Sequence, residues 1–283
     1  MMKLVFKNGC EGVCFVMEKG KIKLTGVNET LFVPLYARAL ESRKPNHAFY
    51  DAAAVRIMDS LDCDFSKYGG SRLNMWGCAA RTIVFDQQAR AHIQKYPDCS
   101  VINLASGLDD RFHRVDNGRI RWYNVDLPDV MDLRRRLMEP NDRVTDIACS
   151  AFDYSWIEKI RNREHALFIV EGFLMYVTAQ QARQLFVTIA DRFRTPTLLL
   201  ELMTQWMVEH QKYHDTTKAA DVTFLWGVER TEDFVKLCPQ YRMEGEWNFT
   251  DGMKRLAPFP MTLIAPFLRK KNNRMAQFTA ENK

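Results

Sequence analysis

The stretch "INLASGLDDRFHRV", Ile102 to Val115, sets an apolar run, one glycine and a helix-forming segment in succession. A strand that ends in a tight turn below a helix N-terminus is where many α/β folds hold a nucleotide-like ligand. Nineteen residues after Gly107, Asp126 closes the next apolar run, and a carboxylate placed there can accept both hydroxyls of a ribose. The three-glycine dinucleotide fingerprint is absent, with Ala105 standing where an earlier glycine would. On geometry the pair suits NAD or S-adenosylmethionine equally. Alternatively, Gly107 is a plain helix-entry turn and Asp126 caps a helix over Asp129 to Leu137. A third acid, Glu171 in "IVEGFLMYV", ends another apolar run just before Gly172. Open α/β sheets keep their chemistry at that position, although a helix-capping acid would read the same way.

Other reactive types assemble less well. His210 and His214 lie four apart in "EHQKYH", but neither a glutamate spacing nor a third ligand completes a zinc pattern, so a helix with exposed histidines is expected. No G-x-S-x-G elbow is present, and Cys149 falls in an apolar run where a thiol packs inertly. Tyr36, Tyr176, Trp206, Tyr213 and Trp226 are candidates to line a substrate pocket, or else are core. Tyr176, just beyond Glu171, is the candidate substrate contact.

These residues need a sheet to position them. From Ser100 onward five apolar runs, "SVINLAS", "IRWYNVD", "VTDIACS", "ALFIVEG" and "PTLLLELM", alternate with helical patterns, which predicts a mostly parallel sheet. "YRMEGEWNF" and "NRMAQFTA" alternate enough to be antiparallel or edge strands, for about seven in all. "TAQQARQLFVTIADRF" reads as a crossover helix capped by Thr178. The first hundred residues have helical periods in "ETLFVPLYARALES", "AFYDAAAVRIMDSL" and "CAARTIVFDQQARAHIQKY", a helical lobe rather than sheet. An aromatic- and histidine-rich insertion follows the fifth strand.

Composition sets wide limits. Hydrophobic residues at 47% and charged residues at 27% are those of a globular enzyme. Seven scattered cysteines fit reduced thiols better than disulfides or zinc. The net charge of +5 is too mild to call for nucleic acid, and the runs Arg134 to Arg136 and Arg269 to Lys271 read as solvated faces. No apolar stretch suits a membrane span, and the opening residues interrupt any signal peptide with acid and glycine, so a cytoplasmic protein without membrane or nucleic-acid partners is expected.

"KIKLTGVNETLFVPLYARALES", "ARTIVFD", "INLASGLDDRFHRV", "WYNVDLPDV", "FDYSW" and "LFIVEGFLMYV" resemble, in order and spacing, the leucine carboxyl methyltransferase family, and most of all its bacterial polyketide O-methyltransferase branch. The resemblance runs from about Lys21 to the carboxyl end. It implies the seven-stranded, Rossmann-like S-adenosylmethionine-dependent methyltransferase sheet in a single domain over 1–283. Residues 1–98 would form the helical lobe and lid, 99–283 the core, with an insertion at about 204–238. It places Arg81 on the cofactor carboxylate, where a guanidinium's planar fork of donors suits the chemistry. Gly107 would let the backbone approach the cofactor, Asp126 would take the ribose hydroxyls, Leu127 would pack on adenine and Glu171 would meet the ammonium. Ala105 replaces a family glycine and Ser150 replaces an acid, leaving Ser150 and Ala151 to serve adenine through a hydroxyl and a backbone amide.

The implied chemistry is an in-line displacement at a sulfonium methyl, which needs alignment and exclusion of water rather than a metal. With no evident general base, a small carboxylic acid or acidic phenol is the expected acceptor. The helices near Glu29 to Leu61 and the insertion after Met203 would close over it. Methylation of a protein's C-terminal carboxylate, an NAD-dependent oxidoreductase and a non-catalytic cofactor-binding protein are the alternatives.

Overall fold

The computed structural model describes residues 15–18, 21–24, 31–61, 64–69, 71–213, 222–253, 255–256 and 269–280. Its first elements depart from an all-helical lobe: β1 (Phe15–Glu18) pairs antiparallel with β2 (Lys21–Leu24). Four-residue strands are too short for their period-2 pattern to stand out against the helical periods that follow. Three helices come next, α1 (Phe32–Ser42), α2 (Ala52–Ser60) and α3 (Arg72–Lys95). They start where sequence chemistry provides acceptors for free N–H groups: Asp51 accepts from Ala54 N and Ser71 from Asn74 N.

The seven sequence-predicted strands are all present as β3 (Ser100–Leu104), β4 (Arg121–Asp126), β5 (Val144–Ala148), β6 (Leu167–Val170), β7 (Thr197–Leu202), β8 (Arg242–Asn248) and β9 (Arg274–Thr279). They form one sheet in the order β5-β4-β3-β6-β7-β9-β8. The first five are parallel, whereas β9 runs antiparallel to both β7 and β8. β3 and β6 are neighbours although two strands separate them in sequence, and this reversal of strand order opens a crevice at their carboxyl ends.

The remaining helices are α4 (Arg111–Val115), α5 (Pro128–Leu137), α6 (Ala179–Arg192), α7 (Gln205–Glu209), α8 (Asp233–Leu237) and α9 (Phe249–Met253). Thr178 and Gln181 form a reciprocal capping box at the start of α6, whose Ala182, Leu185, Phe186 and Ile189 are buried against one face of the sheet with Trp156 and Phe168. On the other face, Val84, Phe85, Ala89 and Ile93 of α3 pack with Phe112, Trp122 and Met275. Phe32, Leu35, Ala54 and Ile57 of α1 and α2 make a further core with Leu108 and Leu133, so the lobe is built onto the turn after β3. Among the described residues no helix is long and apolar enough to cross a membrane.

α9 lies directly on the backbone of α3. A Cβ at Gly252 would stand 2.5 Å from Ala80 O and 2.8 Å from its Cα, and backbone cannot swing aside as a side chain does. Gly252→Ala should therefore destabilise the protein by about 1–3 kcal/mol despite alanine's better helix propensity. Chemical denaturation checks this, and an unchanged or raised midpoint would contradict the packing.

Candidate active site

The crevice at the carboxyl ends of the parallel strands holds a cavity of about 500 Å³, within the range of small-molecule sites. All eight residues assigned to cofactor binding line it, namely Arg81, Ala105, Gly107, Asp126, Leu127, Ser150, Ala151 and Glu171, together with Tyr176. The strand order explains the convergence. β3, β4, β5 and β6 end side by side, and each hands its next residues to the same rim.

The turn after β3 is the most strained part of the rim. Ala105 (φ +52°) and Gly107 (φ +51°) both adopt left-handed backbone, which glycine takes freely and alanine takes at a cost of about 1–2 kcal/mol. Ala105 N donates to Val125 O (2.8 Å), which binds the turn to the end of β4. A Cβ at Gly107 would come within 3.1 Å of Leu31 Cδ2. Asp126 receives Gly107 N on Oδ2 and Leu127 N on Oδ1, each at 2.7 Å. Burial nevertheless pushes its carboxyl up to about 6, because the two amides only partly offset the loss of solvent. It has no carboxylate–cation contact among the described residues and keeps two of roughly four acceptor positions open. It does not cap α5, which begins after Leu127 with Pro128 at its first position.

Glu171 and Arg81 meet each other. Arg81 Nε lies 2.7 Å from Glu171 Oε1 as an ion pair whose N–H is not aimed well enough for a hydrogen bond, and Arg81 Nη1 donates to Glu201 Oε2 (2.8 Å). Arg111 Nη2 donates to the other oxygen of Glu171 at 2.7 Å. Burial alone would raise the Glu171 pKa, but these two guanidiniums outweigh it and hold the carboxyl below its ordinary value. Arg81 does not pair with Asp86 along α3. Asp86 is taken by Arg111 and Arg114.

Ser150 and Ala151 form the turn after β5, with Phe152 N donating to Ser150 Oγ (3.2 Å) and Trp156 Nε1 to Ala151 O (3.1 Å). Cys149 falls just past the strand end and is half-buried. Tyr176 follows Gly172 (φ +67°) on a short turn, its ring 5.8 Å from that of Phe224. Burial raises its phenol well above the usual value. The described part of the insertion covers this side: Leu225 N donates to Met175 O (2.7 Å), and Met175, Met203 and Phe224 pack with Tyr176, Met207 and Val208.

Of the aromatics considered from the sequence, Trp206 also lines the cavity, whereas Tyr36 stacks on Phe65 in the lobe and Trp226 packs against the core near α8. His214 and the Tyr213 side chain lie outside the described residues, while His210 stacks on Trp206 with ring centroids 4.5 Å apart. No group of three or more His, Cys, Asp or Glu able to hold a metal occurs among the described residues. The "RRR" run is not a solvated face throughout. Arg134 is buried, donating to Asp146, Gly107 O and Asp109 O.

Sequence reasoning missed Glu201, Asn273, Asn103 and Asp109, which also line the cavity. The signal for the first was present: "TLLLEL" carries one acid inside an otherwise apolar, fully buried strand. Such an acid requires built partners. Glu201 has them in Arg81, Gly172 N (2.8 Å) and Asn273 Nδ2 (2.8 Å).

A family model described as leucine carboxyl methyltransferase matches residues 32–190. The tetracenomycin polyketide synthesis O-methyltransferase TcmP of Streptomyces glaucescens is 30% identical over 232 residues, 82% of this chain and 86% of its own. The S-adenosyl-L-methionine-dependent methyltransferase dpfgK of Gibberella zeae is 28% identical over 63% of this chain and 65% of its own. In fold, a DUF574 family protein from Streptomyces avermitilis is similar with a TM-score of 0.55 at 11% identity, covering 89% of this chain and 97% of the other. A SAM-dependent methyltransferase from Anabaena variabilis gives 0.51 at 11% identity, covering 73% and 87%. With more than half its length under one family model and a relative 30% identical across most of both chains, this protein belongs to the leucine carboxyl methyltransferase family of S-adenosylmethionine-dependent methyltransferases.

Proposed function

We propose that this protein transfers the methyl group of S-adenosylmethionine to an oxygen of a small-molecule carboxylic acid or phenol, polyketide-like in character. The observation that carries this is the cavity itself, where a turn that can admit a ligand, an accessible ribose-type acid and an Arg–Glu pair converge at the strand ends. The donor set fits the cofactor. The lining includes four carboxylates, Asp109, Asp126, Glu171 and Glu201, against two guanidiniums, Arg38 and Arg81. That balance suits a ligand with a sulfonium and an ammonium against one carboxylate. Ser106 Oγ, buried and without a hydrogen-bond partner among the described residues, adds one further polar atom for a ligand.

In this reading Asp126 accepts the ribose hydroxyls, Leu127, Ser150 and Ala151 line the adenine end, and Arg81 and Glu171 hold the methionine end. The bound cofactor supplies a methyl group on an already cationic leaving group, so the chain's own task is to align the acceptor oxygen and keep water out. Met175, Met203, Trp206 and Phe224 provide the dry wall for that. The small-molecule acceptor is supported by the printed name of the Streptomyces glaucescens relative, a polyketide synthesis O-methyltransferase.

Two measurements test the reading directly. Calorimetry with S-adenosylmethionine, S-adenosylhomocysteine and NAD should show binding of the first two in preference to the third; tight NAD binding with no response to the methyl donor would overturn it. A labelled-donor screen over small acids, phenols and peptides with free carboxyl ends should label small molecules, and labelling of peptides alone would favour a protein-tail acceptor.

Asp126 predicts a pH dependence. Ribose hydroxyls donate to its ionised form, so affinity should be full above pH 7 and fall as pH drops through about 6. The loss reaches about tenfold by pH 5, since each pH unit below the pKa removes about tenfold of the ionised form. Asp126→Asn should bind more weakly at all pH values and abolish that step.

Glu171→Gln keeps the shape but not the charge, and should weaken S-adenosylmethionine by roughly ten- to a hundredfold while leaving adenosine, which lacks the methionine end, nearly unchanged. Arg81→Ala leaves Glu171 and Glu201 short of a partner in the interior and should also lower unfolding stability, by about 3–5 kcal/mol. Equal losses for adenosine and the cofactor in Glu171→Gln would mean that this acid serves the scaffold instead of the ligand.

A further inference from the structure

Asn273 carries an unsatisfied atom at the far end of the cavity. Its Nδ2 donates to Glu201 Oε1 at 2.8 Å, and since a carboxylate only accepts, this bond fixes which side of the amide is nitrogen. The carbonyl oxygen Oδ1 is therefore the other side, buried and without a hydrogen-bond partner among the described residues, in a residue only 6% exposed that lines the cavity. Leaving a buried acceptor unmade is costly, so a donor from a ligand has a place to bind.

The strand order says which ligand. Asp126 ends β4, Glu171 follows β6, and Asn273 precedes β9, four strands from β4 in the order β4-β3-β6-β7-β9. At about 4.8 Å per strand, Asn273 stands roughly 19 Å along the sheet from the ribose acid, while β6 is roughly 10 Å away. Six bonds separate the ribose ring from the ammonium of S-adenosylmethionine; with the hydrogen bond to Asp126 and the hydroxyl and ring bonds added, the ammonium reaches at most about 15 Å from that acid, short of Asn273. The β7–β9 end of the cavity is thus left to the methyl acceptor. Its wall there is Met175, Tyr176, Met203, Trp206 and Phe224, soft thioethers and flat rings that suit a planar apolar body.

We infer that Asn273 is a specificity-determining residue, its carbonyl oxygen accepting a hydrogen bond from a hydroxyl of a planar aromatic acceptor, and that this site selects hydroxyarenes over aromatic carboxylates. Glu201 is the positioning residue that holds the amide in this orientation. A carboxylate in the same place would set its lone pairs against Asn273 Oδ1 beside the buried Glu201 charge, and like polarity without a donor is repulsive. The inference rests on the reading of this cavity as a methyl-transfer site, and concerns binding of the acceptor only.

The test is calorimetry on the full chain saturated with S-adenosylhomocysteine, using 2-naphthol, naphthalene and 2-naphthoate as probes. Wild-type protein should bind 2-naphthol at least fivefold more tightly than either of the others. Asn273→Ala should remove most of the advantage of 2-naphthol over naphthalene, with naphthalene and S-adenosylhomocysteine affinities unchanged. Because that variant leaves Glu201 Oε1 without its donor and could fold poorly, the wild-type comparison of the three probes stands as an independent arm. Tighter binding of 2-naphthoate, no preference for the naphthol, absence of binding by all three probes, or an unchanged preference in a folded Asn273→Ala protein would overturn the proposal. Failure of S-adenosylhomocysteine itself to bind would instead overturn the methyl-transfer reading and remove the inference with it.

Discussion

A buried chain of arginines and carboxylates ties the helical lobe to the strand ends. Arg38 of α1 pairs with Asp51, the cap of α2, and Asp51 also takes Arg114 of α4. Arg114 and Arg111 share Asp86 of α3 and Asp109 of the turn after β3. Arg111 continues to Glu171, Glu171 to Arg81, and Arg81 to Glu201 within β7. Taking such charges out of water costs about as much as their attraction returns, so the network is not a reserve of stability. Its consequence is positional: each arginine is satisfied in one arrangement of lobe, turn and sheet, and any shift leaves a charge buried without its partner. Burial would lower the pKa of Arg111 and Arg114, yet the surrounding carboxylates raise both.

The network also sorts the acids of the cavity. Asp109 and Glu171 are held below ordinary carboxylate values, against the effect of burial, by the guanidiniums around them. Asp126 stands outside, supported by two backbone amides and the charge of Arg134 without an ion pair, and is the acid whose pKa burial raises. A carboxylate that is buried, ionisable near neutrality and unpaired gains more from ligand hydroxyls than one already saturated by arginine. The same fold therefore makes one acid a ligand acceptor and makes Glu171 a shared element, facing the cavity while fixing Arg81 and Arg111.

Much of this was legible along the chain because parallel strands buried on both faces read as largely apolar runs, as β3, β6 and β7 do, while the edge strand β5 is only partly buried and carries Thr145 and Asp146. Seven of the eight proposed cofactor residues converge because they follow or end strands β3 to β6, and Arg81 reaches the same rim from α3. What local reading could not supply is partner choice. Arg134 sits in a run of three arginines and looks solvated, yet three acceptors from other elements bury it. Tyr36 and Trp226 are aromatic like Trp206, but only their packing assigns the first two to core and the last to the cavity. Glu201 was visible as an acid inside a buried strand, a pattern that marks a built interior contact without naming its other half, whereas Asn273 stands just before β9 with no such signal.

Ala105 lines the cavity directly after β3. It holds left-handed backbone where glycine would cost nothing, and the fold keeps it there with the hydrogen bond from its amide to Val125 O. The methyl side chain loads the turn with local strain, while Gly107, two residues on, leaves its backbone beside Asp126. Strain confined to one residue is tolerable because the residues on both sides are anchored, Leu104 in the sheet between β4 and β6, and Asp109 by Arg111, Arg114 and Arg134. The substitution therefore acts on the turn's conformational energy and not on the arrangement of the acids around it, which the arginines determine.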